Sequence, residues 1–237
     1  MIDGVAVDFV RSAAELGRPD AVIVPGTKNT LLDLEWLRRT GLADAIVELA
    51  SSGVPVIGIC GGFQMLGNTI SDPLGVEGEP GSEAPGLGLL DIATVLAGDK
   101  TVKQVEGIVI GGFKALGDSV LGVKYSAYEI HAGQSTPGSL GAPFSRRADG
   151  TLDGWESLTL PVFGTYMHGI FDCDQLRRSF MGALASKKGV ACPDCESAGF
   201  EERISRIAAS LRQSLDMEAL NRIIGIETRL TEDVCVR

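Results

Sequence analysis

The segment Gly58-Ile59-Cys60-Gly61-Gly62-Phe63-Gln64-Met65-Leu66-Gly67 sets a cysteine among small residues. Upstream, Val54, Pro55, Val56, Ile57 and Ile59 read as a buried strand; downstream, Gly61 to Leu66 read as the first turns of a helix. A chain that turns sharply from strand into helix strains its corner residue, and Gly58, Gly61 and Gly62 are small enough to permit the turn. A helix N-terminus there directs free N–H groups and the positive dipole end at the Cys60 thiol, which favours thiolate. The Gly61 N–H, directly after the nucleophile, is placed to bind an oxyanion. The competing reading is a buried structural cysteine.

A thiol nucleophile needs a base, and the chain has two histidines, His131 and His168. His168 comes just after Val162 to Tyr166, which reads as an inner strand, so it shares the sheet edge on which Cys60 sits. Together they could perform nucleophilic acyl transfer: thiolate attack, an oxyanion held by two N–H donors, and protonation of the leaving amine by imidazolium. The second donor is assigned to Gly26, in the loop after an earlier strand. The other reading of His168 is a solvent-side loop histidine.

The elements that would position these residues follow in order. Val5 to Val10 alternates as a strand, and Ala21 to Val24 is a second strand. Asn29 or Thr30 caps a helix over Leu31 to Arg39, and Leu42 to Ser52 forms another amphipathic helix before the strand into Cys60. This order predicts a parallel sheet with helices on both faces and ligands at the carboxyl ends of its strands. Ser71 to Leu90, dense in Gly, Pro and acid, reads as a surface loop. Alternating runs at Ile92 to Leu96, Val102 to Ile110, Tyr125 to His131 and Leu152 to Leu158 predict an antiparallel extension. Gln175 to Lys187 is a helix, Phe200 to Ile224 reads as one long amphipathic helix docked on the outside, and Glu227 to Arg237 as a frayed tail.

Composition narrows the function further. A net charge of -10, from 31 acidic and 21 basic residues, with no basic stripe, argues against nucleic acid or an anionic membrane as partner. No apolar run approaches the roughly 20 residues needed to span a bilayer, and no signal peptide opens the chain, so a cytoplasmic location is expected. Five cysteines (Cys60, Cys173, Cys192, Cys195, Cys235) at unequal spacing read as thiols. Cys192-Pro193-Asp194-Cys195 lacks a second pair or a nearby histidine and reads as a loop with incidental thiols, a metal or redox pair being the alternative. No metal or cofactor site is assigned to this chain.

Seven motifs in order carry a family resemblance: Pro25-Gly26-Thr27-Lys28-Asn29-Thr30, the Gly58 to Gly67 segment, Asp72-Pro73, Gly75-Val76-Glu77-Gly78, Gly86-Leu87-Gly88-Leu89-Leu90, Tyr128-Glu129-Ile130-His131-Ala132-Gly133 and Gly164-Thr165-Tyr166-Met167-His168-Gly169-Ile170-Phe171-Asp172. Over roughly residues 5 to 190 the chain resembles the glutamine amidotransferase domains of the cobyric acid synthase type, in the class I, triad-type superfamily. The resemblance implies an α/β, flavodoxin-like fold: a mostly parallel sheet flanked by helices, with an antiparallel extension and a C-terminal helix. Residues 1–190 would form that domain, and 191–237 a loop and helical extension packed on it. The implied reaction hydrolyses glutamine to glutamate, and the ammonia serves ATP-dependent amidation of adenosylcobyrinic acid a,c-diamide in cobalamin biosynthesis. ATP and Mg would belong to a dethiobiotin-synthetase-like amidoligase partner, through which the corrin acceptor is reached. By the resemblance Cys60 is the nucleophile, His168 the catalytic histidine, and Gln64 helps hold the substrate. Glu129 and His131 belong to a motif lying where sister families grip the glutamine's α-amino and α-carboxylate groups.

Two departures stand out. Triad enzymes carry a Glu two residues after the histidine; Ile170 stands there, so a backbone carbonyl, Glu129 or Asp172 must orient His168 instead. No G-x-x-x-x-G-K-[ST] loop is present. With its opening strand unpartnered, the chain reads as an excised domain or as a subunit whose ATP-using half is a separate polypeptide. Rival functions are an amidotransferase subunit serving a Mur-ligase-like enzyme on peptidoglycan precursors, and a non-catalytic module that binds glutamine or an amidoligase. The Pro25 to Thr30 loop and the Tyr128 to Gly133 motif favour the corrin acceptor, and an intact Cys60, Gln64 and His168 favour catalysis.

Overall fold

The structure, a computed structural model, describes residues 4–192 and 200–225. Two compact units are present, Met1–Cys195 and Glu196–Arg237. In chain order the first contains α1 Ala13–Leu16, β1 Val22–Val24, α2 Thr30–Arg39, α3 Leu42–Ser51, β2 Val56–Ile59, α4 Gly61–Met65, β3 Thr69–Asp72, β4 Ser82–Pro85, β5 Ile92–Val109, α5 Phe113–Leu116, β6 Lys124–Pro137, β7 Gly141–Ala142, β8 Ser145–Arg147, β9 Leu152–Asp153, β10 Trp155–Ser157, β11 Val162–Thr165, β12 Met167–His168 and α6 Asp174–Lys188.

Two sheets hold the site. The first has the order β1-β2-β11-β10-β7, with β1, β2 and β11 parallel and the last two strands antiparallel. Central β2 buries Val56 and Ile57 completely, as a strand paired on both sides and covered on both faces must. α2 and α3 form the crossover between β1 and β2. α2 is capped by Asn29, whose side chain accepts from Leu32 N–H, and α3 buries Leu42, Ala43, Ile46 and Ala50 along one helical face. The second sheet runs β12-β6-β5-β3-β4, dominated by the long antiparallel pair β5–β6.

The sheet expected to be mostly parallel is instead mixed: parallel pairing is limited to β1–β2 and β2–β11 in the first sheet and β3–β5 in the second. Only β1 and β2 are joined directly by a helical crossover, whereas the segment from β3 to β11 returns largely by turns, which join antiparallel strands. Val5 to Val10 forms no strand: it finds no sheet edge, and Val7 and Phe9 are 76% and 94% exposed. The Ser71 to Leu90 loop contains a hairpin, β3–β4. Its turn is organised by buried Asp72, whose carboxylate accepts from the N–H groups of Val76, Glu77 and Gly78. The runs Ile92 to Leu96 and Val102 to Ile110 are one strand, β5, with a register shift between Leu96 and Thr101.

In the second unit the expected single helix is two, α7 Phe200–Ser214 and α8 Met217–Ile224. Asp216 divides them: its carboxylate accepts from Ala219 N–H at 2.9 Å, an N-cap that starts a new helix. Cys195 and the Glu227 to Arg237 tail lie outside the described residues.

Candidate active site

Among the described residues Cys60 is the one non-glycine residue with positive φ, at φ 53° and ψ -110°. Such a conformation persists only where its surroundings fix it. Here Cys60 N–H donates to Thr165 O at 2.8 Å, and Cys60 O accepts from Gln64 N–H at 3.1 Å. The flanking glycines are steric necessities: a Cβ at Gly58 would stand 2.7 Å from the Phe63 backbone, and one at Gly62 would overlap Val24 O. The thiol is 7% exposed, and Sγ lies 3.3 Å from Ile130 O of β6. α4 is five residues long, so the dipole expected behind the thiol is that of little more than one turn.

His168 stands three residues beyond the end of β11, on the edge where β2 delivers Cys60; Thr165 pairs with Ile59. Gly26, two residues past β1, completes the group. A Cβ on Gly26 would lie 3.1 Å from His168 Cε1 and 3.4 Å from Cys60 Cβ, so both side chains close on the same point of backbone. The carboxyl ends of three parallel strands thus bring together Gly26, Cys60 and His168. His168 Nε2 is buried without a hydrogen-bond partner. Orphaned buried nitrogens are rare in folded proteins and demand a role. Gly26→Ala is expected to leave the melting temperature near wild type, because the crowded neighbour is a side chain. It should lower glutamine turnover about a hundredfold by displacing His168, measured as glutamate release by the soluble, folded variant.

Gln64 is 3% exposed, and its amide is fixed at both ends. Thr30 Oγ1 donates to Gln64 Oε1 at 3.0 Å, and Gln64 Nε2 donates to Tyr166 Oη at 3.3 Å. Tyr166 in turn bonds Ser135 Oγ at 2.7 Å, stacks on His131 with centroids 3.8 Å apart, and titrates at about 12 because of burial. Beyond Thr30 lies Glu77, whose carboxylate accepts from Thr30 N–H at 2.5 Å and approaches its hydroxyl at 3.2 Å. Burial raises the Glu77 carboxyl above its usual value, while the N–H groups of Thr30 and Leu31 and the Thr30 hydroxyl partly offset that. Thr30, Glu77, Ser135 and Tyr166 had no place in the site as read from sequence. They reach it through tertiary packing; Thr30, Glu77 and Tyr166 fall within the Pro25 to Thr30, Gly75 to Gly78 and Gly164 to Asp172 motifs, and Ser135 in none.

Glu129 does not orient His168. On antiparallel strands, directly opposed residues share a face, and His168 opposes Tyr128 while Glu129 opposes Met167. The Glu129 carboxylate accordingly lies on the other side, bonded to His131 Nε2 at 2.6 Å and Arg147 Nη2 at 2.6 Å, with Lys103 Nζ at 3.4 Å. His131 Nδ1 meets Gly133 O at 2.6 Å. Arg147 also reaches Asp153, which accepts from the Thr165 hydroxyl and from Tyr166 N–H. Asp172 places Oδ2 3.1 Å from where a Gly169 Cβ would stand, against the backbone next to His168.

This cluster sets an acid sensitivity. Burial alone would raise the Glu129 carboxyl, but the hydrogen bond from His131 and the charge of Arg147 outweigh it and bring it down from 4.5 to about 2. Because the folded value lies below the unfolded one, ionised Glu129 stabilises the fold fully above pH 4.5, and that contribution fades as the pH falls toward 2. Buried Asp153 runs the other way, raised by desolvation and relieved when protonated. Glu129→Gln should cost about 3 kcal/mol at pH 7. It should also flatten the acid limb between pH 4.5 and 2, as read from urea midpoints across that range.

Residues 2–176 match the CobB/CobQ-like glutamine amidotransferase domain. The chain belongs to this family. Among similar curated proteins, a cobyric acid synthase from Caulobacter sp. (strain K31) is 43% identical over 89% of this chain and 40% of its own length. One from Pelotomaculum thermopropionicum is 38% identical over 94% and 45%, and one from Sorangium cellulosum 40% identical over 95% and 46%. The chain thus spans less than half the length of these relatives. Among solved structures, a glutamine amidotransferase superposes with a TM-score of 0.54 at 17% identity, over 79% of this chain and 88% of that one. PurLQS from Thermotoga maritima gives 0.52 at 20%, over 70% and 80%. Both support the amidotransferase fold, an α/β arrangement here built on mixed sheets. Among the described residues no helix is long and apolar enough to cross a membrane.

Proposed function

We propose that this chain is the glutaminase of a cobyric acid synthase, supplying ammonia for ATP-dependent amidation of a corrin carboxylate held by an amidoligase partner. The observation that carries the catalytic part is the convergence of strained Cys60 and orphaned His168 Nε2 on Gly26. His168 takes the thiol proton, and Cys60 Sγ attacks the glutamine carboxamide carbon. The Gly61 and Gly26 N–H groups hold the oxyanion. Collapse of the tetrahedral intermediate breaks the C–N bond, and His168 returns its proton to the departing ammonia. Water, deprotonated by His168, then attacks the thioester; glutamate leaves and the thiol is restored. Among the described residues no carboxylate bonds this histidine, so Cys60 and His168 work as a dyad.

Within this scheme Gln64 lines the substrate pocket, its amide held by Thr30 and Tyr166. Glu129 and His131 act one layer back, keeping β6 where Ile130 O faces the thiol. The corrin acceptor is supported by the relatives, which are named cobyric acid synthases. Mixing the chain with a corrin amidoligase, ATP and an a,c-diamide acceptor tests it. Glutamine should support amidation only when this chain is present, while ammonium salts support it without the chain. Glutamine hydrolysis without transfer to the corrin would retain the glutaminase and remove the acceptor.

A further inference from the structure

We propose that Tyr128 is the positioning residue for His168, replacing with an aromatic face the carboxylate that a triad would use; this rests on the glutaminase reading above. The two residues are directly opposed on β6 and β12, so their side chains leave the sheet on the same face. Their rings lie parallel, 2° apart, with centroids 5.8 Å from one another.

Neither the triad position nor Glu129 supplies an orienting group. Ile170, at the position of a triad glutamate, is apolar and 3% exposed in the core. Glu129 is engaged by His131, Arg147 and Lys103 on the opposite face. Facing His168 are Tyr128 from β6, Gly26 from the β1 loop and Cys60 from the elbow, with Asp172 against the adjoining Gly169.

A stacked ring controls what a dyad needs controlled. It fixes rotation of the imidazole about its Cβ–Cγ bond, and hence where Nε2 points. It also offers a π face to the imidazolium that forms when the thiol proton arrives, an attraction effective within about 6 Å of the ring centroid. Tyr128 can hold its own plane because its strand is paired on both edges, to Gln104 of β5 and His168 of β12. Its ring is 47% exposed, so it is not a core residue whose loss opens a cavity.

With two histidines in the chain, ring-labelled histidine gives two sets of NMR signals, assigned with His168→Gln. His131, stacked on Tyr166, serves as the internal control. In Tyr128→Leu the His168 ring protons should lose their ring-current shift while His131 does not move; Tyr128→Phe should keep both at the wild-type positions. Turnover of glutamine should fall about tenfold to a hundredfold in Tyr128→Leu, with KM little changed and the pH profile of kcat displaced, and Phe should restore most of the rate. An unmoved His168 signal in Tyr128→Leu would overturn the proposal, as would equal losses of rate in the Leu and Phe variants. If the wild-type chain neither turns over glutamine nor reacts with its analogues, the glutaminase reading fails, and the NMR comparison still decides whether Tyr128 sets the imidazole.

Discussion

Cys60→Ala removes glutamine hydrolysis by at least about four orders of magnitude, while ammonia-dependent amidation by the partnered enzyme continues at the wild-type rate. The asymmetry follows from what the side chain does. Sγ forms the covalent bond to the glutamine carbonyl, and neither Ala nor the surrounding Ile130 carbonyl can replace it. Ammonia supplied in solution bypasses that bond. The substitution itself should fold, since alanine removes one sulfur atom from a site whose backbone is held by the Thr165 and Gln64 hydrogen bonds. Loss of both activities would mean that Cys60 is structural. The comparison is glutamate release and corrin amidation with glutamine or ammonium chloride as nitrogen source.

Gly62→Ala should give the largest loss of stability, about 3–5 kcal/mol or outright failure to fold. A Cβ there would overlap Val24 O and lie 2.6 Å from Val24 C and 2.9 Å from Pro25 O. All three are backbone atoms of β1 and the loop carrying Gly26, so relief requires separating α4 from the sheet. Gly26→Ala, by contrast, crowds a side chain and should damage rate rather than fold. Urea denaturation followed by circular dichroism separates the two, with Gly62→Ala unfolding at far lower denaturant and Gly26→Ala close to wild type.

That Cys60 and His168 lie on one sheet edge was legible in the sequence because its signals are local. Strand, glycines and helix around Cys60 are consecutive, and His168 follows a short run that reads as an inner strand and forms β11 over Val162–Thr165. The two crossover helices were equally readable: Asn29 caps α2 as its position implied, and α3 buries the face its spacing marks. What escaped depends on partners far along the chain. Val5 to Val10 alternates like a strand, yet alternation forms a strand only when an edge is available, and none receives it. Around residues 97–100, Gly98 and Asp99 masked the continuity of β5, which its pairing with β6 restores across a register shift. The side of the sheet on which Glu129 falls was fixed by β12 pairing Tyr128 with His168, a contact no spacing along β6 reveals. The Thr30, Glu77 and Tyr166 connections to Gln64 are likewise set by how the β3–β4 hairpin and the strands close around α4.

The most direct test of the dyad is covalent: intact-mass and peptide analysis of the chain after exposure to a glutamine-analogue electrophile such as a diazoketone, beside Cys60→Ala and His168→Asn. One adduct per wild-type chain is expected, located on Cys60, suppressed by excess glutamine, absent in Cys60→Ala and formed at least about a hundredfold more slowly in His168→Asn. An adduct spread over Cys173 and Cys192, or one whose rate ignores both glutamine and His168, would contradict it.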